Sequence, residues 1–218
     1  MTERLVVVGA GGFGRETLDV IEAQAQAGAA IELVGVIDSG PADTDLARLA
    51  ERGVAYLGTE SEWIPTARGD ERFVVGIGSP DIREAVDSRW MRAGFSAATL
   101  VHPRAVLGSQ VTVGEGSIIT SGVQVSTNVA VGRHVHLNPG AIIGHDAILQ
   151  DFVSVNPGAV VSGNVRVLAQ TLLGAGSIVL QGLSIGPHAI VGASACVTKD
   201  VSADITVVGV PARSKESM

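Results

Sequence analysis

The chain has 218 residues, 46% of them apolar but only 3% aromatic, with 28 glycines. This excludes a disordered chain and points to a core of small aliphatic side chains. Fifteen Lys and Arg against 22 Asp and Glu leave a net charge of −7. No basic arm is present, which argues against a nucleic-acid partner held by phosphate neutralisation.

One cysteine, Cys196, leaves no intramolecular disulfide framework and suits a reducing compartment. The apolar opening, Leu5 to Val8, is too short for a signal-peptide core or a membrane span. The expectation is a cytoplasmic protein with no membrane partner.

Residues 1–100 read as a small α/β unit. Leu5–Val8 is a buried strand followed by a glycine turn, and Arg15–Ala27 has helical content. Ile31–Ile37 is a second strand, Asp45–Arg52 a short helix, Phe73–Ile77 a third strand and Asp81–Arg92 another helix. Strand–helix–strand alternation implies a parallel sheet with crossovers.

From residue 101 to 218 a period of six replaces the helical one. Cutting every six residues from Val101 puts Val, Leu or Ile first in sixteen consecutive hexads, through Val191. The fifth position is Ala, Val, Ser or Thr in fifteen of them, with Leu183 the exception. Glycine takes the second position in seven, where it is expected to permit backbone that other residues resist. An alternating strand has a period of two, so a period of six requires a β-solenoid with a corner in every hexad. Three hexads make one triangular coil, and residues i and i+18 stack.

Gly9-x-Gly11-x-x-Gly14, after a strand and before a helix, has the dinucleotide-binding form. Asp38, ending the second strand, stands where an acid binds a ribose hydroxyl. The second mononucleotide half is missing, so a mononucleotide such as the UDP of a nucleotide sugar fits the space better than NAD. Of five histidines, His145 has a carboxylate beside it, Asp146, and Gly163 one coil on. A base, a carboxylate and a backbone donor are the parts that acyl transfer needs.

Together these segments resemble the NeuD/PglD-like sugar O-/N-acyltransferases of the hexapeptide-repeat superfamily. The resemblance rests on Val7-Val8-Gly9-Ala10-Gly11-Gly12-Phe13-Gly14-Arg15-Glu16, Gly76-Ile77-Gly78-Ser79, Gly144-His145-Asp146 and Gly209-Val210-Pro211-Ala212-Arg213. It implies a Rossmann-like domain joined to a left-handed parallel β-helix, and a homotrimer with active sites between subunits. The family's sugar-nucleotide contacts fall on Gly11, Gly12, Phe13, Asp38, Ser39 and Gly78. Phe13 replaces a His of the pattern, and Ser39 a second Asp. The catalytic His matches His145, its base-enhancing acid matches Asp146, and the Gly163 amide stabilises the oxyanion. Ser154 stands where relatives place a second His near the acetyl donor, and His136 lies one coil below it. Coenzyme A contacts fall on Ala175 and Ala193, with Lys199 and Arg213 placed for its phosphates.

The implied activity is transfer of acetyl from acetyl-CoA to the amine or hydroxyl of a nucleotide-linked sugar, in particular a UDP-4-amino-4,6-dideoxy sugar, without a metal. A sialic-acid-type O-acetyltransferase is the alternative within the family. Outside it stand a γ-carbonic-anhydrase-like metalloenzyme using His134, His136 and His145, and a non-catalytic binding protein, to which the Ser154 replacement points.

Overall fold

The computed structural model describes residues 2–215. They form two compact units that divide between Pro103 and Arg104. Among the described residues no helix is long and apolar enough to cross a membrane.

The first unit is a parallel sheet of four strands: β1 (Glu3–Val8), β2 (Ile31–Ile37), β3 (Glu71–Val75) and β4 (Ser96–Ala97). Their spatial order is β2-β1-β3-β4. The chain therefore winds outward from β1 in both directions, the Rossmann-like arrangement that opens a crevice at the carboxyl ends of the strands. Helices α1 (Gly12–Gln26), α2 (Asp43–Glu51), α3 (Glu60–Trp63) and α4 (Pro80–Arg92) connect the strands. The core is aromatic. Trp90 packs on Trp63, Phe73 and Phe95 with ring centroids 5.6, 5.1 and 5.2 Å away.

Several elements differ from those expected, most of them by one or two residues at an end. The first helix begins at Gly12 rather than Arg15, because the glycines expected in the turn supply its first turn. The third strand runs Glu71–Val75 rather than Phe73–Ile77. At Gly76 the backbone abuts Gly14, where a Cβ on Gly76 would lie 2.6 Å from the Gly14 Cα. That packing ends the strand. Helix α3 was not expected, although Thr59-Glu60-Ser61-Glu62 spells a capping box. The Thr59 hydroxyl accepts from the Glu62 N–H, and the Glu62 carboxylate accepts from the Thr59 N–H at 2.8 Å.

The second unit is a left-handed parallel β-helix with one dipeptide strand per hexad. Its register is +18 through Val197, as Ile142 pairs with Val160, Ile148 with Arg166 and His136 with Ser154, and it shortens to +16 in the last coil, where Ile190 pairs with Thr206. From Ile119 through Val197, first-position residues such as Leu137, Ile143 and Val161 are buried, as are small fifth-position residues such as Ala141, Ala159 and Val165. The predicted inward pattern holds.

The role assigned to the second-position glycines needs correction. They do not adopt a left-handed backbone; they are small because the next coil lies against them. A Cβ on Gly144 would sit 2.5 Å from the Gly163 nitrogen, and one on Gly114 2.5 Å from Gly132. The left-handed residue is the fourth of each hexad. From Gln110 to Ser194 every fourth position has positive φ, whether Gly, Asn, Asp, His, Gln, Ser or Phe. The corner demands that conformation at each turn, and Gly, Asn, Asp and His adopt it most readily.

Candidate active site

His145 and Asp146 form one of these corners. Because Asp146 is the left-handed residue, at φ +58°, its carboxylate turns back onto the preceding side chain. Asp146 Oδ2 lies 2.7 Å from His145 Nδ1, while Oδ1 accepts from the Asn128 amide at 3.1 Å. Asn128 is the residue one coil earlier at the same corner position, so the stacking that builds the fold also orients the acid. The His145 and Asn128 hydrogen bonds hold the Asp146 carboxyl below the usual carboxylate range. It is therefore an acceptor only. The proton shared with it belongs on Nδ1, the tautomer in which an uncharged ring keeps the Nε2 lone pair free to take another.

That Nε2 faces Gly163. A Cβ on Gly163 would lie 2.5 Å from it, so any side chain there would displace the ring. The predicted trio is thus assembled on one edge of the prism, with the imidazole and carboxylate both accessible to solvent.

The other predicted residues of this unit lie elsewhere. Ala175 and Ala193 stack one coil apart on the corner that leads into the face carrying Ile142, and both are exposed. His145 and Gly163 occupy the corner that leaves it. One face of the prism separates them. Lys199 and Arg213 line a common cavity of about 280 Å³ at the carboxyl end. Ser154 pairs in register with His136 on another face, where both are buried. His134 is also buried, its ring stacked on Phe152 at 5.5 Å. Among the described residues no group of three His, Cys, Asp or Glu side chains is placed to hold a metal ion; His134 and His136 are buried, whereas His145 is at an exposed corner.

In the first unit the glycines sort into two kinds. Gly14 and Gly76 are packing positions, since a Cβ on Gly14 would lie 1.9 Å from the Gly9 oxygen. Gly11, Gly12 and Gly78 face open space. Gly11 caps α1 in an extended conformation without a side-chain cap, and Gly12 opens the helix. Their unfilled surroundings and the amides of the α1 N-terminus form a surface onto which a phosphate fits. Phe13 is half-buried on the first turn beside them.

Asp38 accepts from the Ala10 N–H at 2.8 Å and from the Gly40 N–H at 2.9 Å, which ties the end of β2 to the glycine loop. Ser39 is exposed next to it. The Gly78 loop is anchored from below by Arg83, a fully buried guanidinium missed in the sequence. Its Nη1 donates to the Ile77 and Gly78 carbonyls at 2.9 and 3.2 Å, and burial pushes its pKa down to about 9.

Residues 4–89 match the PglD N-terminal domain family. A GDP-perosamine N-acetyltransferase of Escherichia coli O157:H7 is 34% identical over 134 residues, 61% of this chain. The match spans 58% of that relative's length. A variant of perosamine N-acetyltransferase from Caulobacter crescentus, solved with CoA and GDP-perosamine, is 28% identical. It superposes at a TM-score of 0.88 over 100% of this chain and 99% of its own. WeeI from Acinetobacter baumannii AYE is 27% identical, with a TM-score of 0.85 over 98% and 100% of the two chains. Residues 4–89 thus match the PglD N-terminal domain family, and the chain is similar over its whole length to a perosamine N-acetyltransferase, with an α/β domain followed by a hexapeptide-repeat β-helix.

Proposed function

We propose that the protein transfers the acetyl group of acetyl-CoA to the amine of a nucleoside-diphosphate-linked sugar, with His145 as general base. The observation that carries this is His145 with its Nδ1 held by an ionised carboxylate and its Nε2 opposite a residue without a side chain. The acceptor nitrogen attacks the thioester carbonyl carbon, and Nε2 takes the proton that nitrogen sheds. The tetrahedral oxyanion rests on the Gly163 N–H, and its collapse breaks the C–S bond and releases the CoA thiolate. Asp146 stabilises the imidazolium formed on the way.

The nucleotide end is assigned to the open glycines Gly11, Gly12 and Gly78 for the phosphates, Phe13 for stacking and Asp38 with Ser39 for the ribose. On the donor side, Lys199 and Arg213 meet the phosphates of CoA, Ala175 and Ala193 lie along its pantetheine, and Ser154 takes the place of the second histidine. Relatives solved with GDP-perosamine favour an amine acceptor over a hydroxyl, and a guanosine carrier over the uridine expected from the sequence. A single cysteine and a thioester co-substrate fit a cytoplasmic setting.

The reading includes a homotrimer. Val106, Ile142 and Ile178 project from one face of the prism with 55%, 45% and 40% of their surface exposed. Such an apolar row is uncovered in the lone chain. It runs between the His145 corner and the Ala175–Ala193 corner, so base and donor positions meet only if a second copy brings its own edge.

The deciding experiment is steady-state kinetics with His145→Ala. Loss of general base catalysis lowers kcat by about 10²–10⁴-fold and leaves KM for acetyl-CoA unchanged. Full activity of that variant on amino-sugar nucleotides would remove His145 from the chemistry. A monomer in sedimentation at micromolar concentration would remove the trimer.

A further inference from the structure

Within the first unit a cavity of about 650 Å³ opens beside the carboxyl end of β2. Ser39 forms one lip, immediately after Asp38. The Asp38 N–H donates to the Gly58 carbonyl at 3.2 Å, so the opposite wall, beginning at Thr59, is chain that continues from a partner of Asp38. A nucleoside with its ribose on Asp38 therefore carries its base toward this cavity.

The chemistry of the wall is specific. Arg89 on α4 reaches Glu60 on α3 through a two-point fork, Nε to Oε2 at 2.9 Å and Nη2 to Oε1 at 3.1 Å. The Glu60 side chain is tucked in, 15% exposed, whereas the Arg89 side chain is 49% exposed. The fork uses two of the five N–H groups of arginine, and the rest point away from the pair. Ile64 and Pro65 supply an apolar surface against which a flat ring can lie. An exposed ion pair adds little to stability. This one instead fixes the plane of a guanidinium that would otherwise be free to rotate.

We propose that the cavity holds the base of the nucleotide and that Arg89, oriented by Glu60, reads guanine through its O6 and N7. The assignment rests on the nucleotide-sugar reading above. Adjacent acceptors on one edge of a purine are what an arginine fork pairs with best. Adenine offers a donor amine in place of O6, and uracil has no such pair of acceptors and is smaller. Arg89 is the specificity residue here, and Glu60 is the positioning residue.

Calorimetry on the full chain with GDP, IDP, ADP and UDP tests this. IDP lacks only the 2-amino group, so it binds as GDP does, while ADP and UDP bind about 10- to 100-fold more weakly. Arg89→Met brings GDP and IDP to the level of UDP and leaves UDP unchanged. Glu60→Gln reduces the GDP-to-UDP ratio by less, because the guanidinium remains. UDP binding as tightly as GDP, or an unchanged ratio in Arg89→Met, overturns the assignment while leaving the nucleotide-sugar reading intact. IDP much weaker than GDP in the unmutated protein overturns it too, by showing that the 2-amino edge is read instead, and this needs no variant to fold. If no nucleoside diphosphate binds while acetyl-CoA does, the nucleotide-sugar reading falls, and this assignment with it.

Discussion

The two units reach a stable core by opposite means. Six of the seven aromatic residues lie in the first 103 positions, and four of those rings pack on one another around Trp90. The solenoid has a single aromatic, Phe152, and buries Val, Ile, Leu and Ala in a register repeated at each coil. In the first unit stability is concentrated in a few large side chains, each occupying a unique place. In the second it is spread over many equivalent ones, and its weak points are backbone contacts rather than volumes. Removing one large ring and removing one methyl group should therefore have very different consequences.

The largest expected effect is Trp90→Ala. Trp90 is fully buried with three ring partners, and truncation leaves a void that neighbours from separate elements cannot fill together. It should cost about 3–5 kcal/mol in denaturant unfolding. Ile143→Val in the solenoid should cost only about 0.5–1.5 kcal/mol, although Ile143 is equally buried. Equal losses would erase the contrast.

A sharper division lies within the solenoid. Gly144→Ala drives a methyl group into the backbone of the next coil and should cost about 1–3 kcal/mol. Gly140→Asn, four residues earlier, should be tolerated within about 1 kcal/mol. Gly140 has φ +72° and only distant neighbours, and Asn128 and Asn164 already take that conformation at the same hexad position. If Gly140→Asn were the worse of the two, the division between close-packed second positions and left-handed fourth positions would be wrong.

The same contrast explains what could be read in advance. The solenoid was legible to the residue, because sixteen repeats average out the ambiguity of any one of them. The glycine reasoning failed there for a physical reason. Composition shows where glycine stands but does not distinguish a missing Cβ needed for packing from one needed for φ. In the first unit each boundary is a single event decided by tertiary contact, as when Gly76 meets Gly14, and the expected ends moved by up to three residues. The His145–Asp146 pair was visible because its members adjoin in sequence. Arg89 and Glu60 are 29 residues apart and meet only after α3 and α4 have packed. The capping box at Thr59, which went unread, marks the helix but not its partner.

Gly163→Ala separates chemistry from stability. The atoms nearest its methyl group would be those of the exposed His145 ring, which can swing aside, so the unfolding midpoint should hardly move. The displaced base should lower kcat by about 10²-fold, within the range of general base catalysis. A large loss of stability with kcat preserved would mean that Gly163 is a packing glycine like Gly144.

The smallest expected effect concerns Asp146. Asp146→Asn should lower kcat on the order of tenfold, because the imidazole stays while the anion that stabilises its charged form is lost. The variant also gives a pH test. In the folded protein the Asp146 carboxyl titrates below its ordinary value, held there first by His145 and then by Asn128. A lowered folded-state pKa means that the unfolded chain takes up its proton first as pH falls. The contribution of Asp146 is therefore complete above the ordinary carboxylate range and disappears as pH drops through the lower folded-state value. The stability difference between the unmutated protein and Asp146→Asn should be steady near neutrality and shrink between about pH 5 and pH 3. A difference that grew between about pH 5 and pH 3 would mean that the carboxylate is strained against its neighbours rather than held by them, and the corner would then be no support for a base.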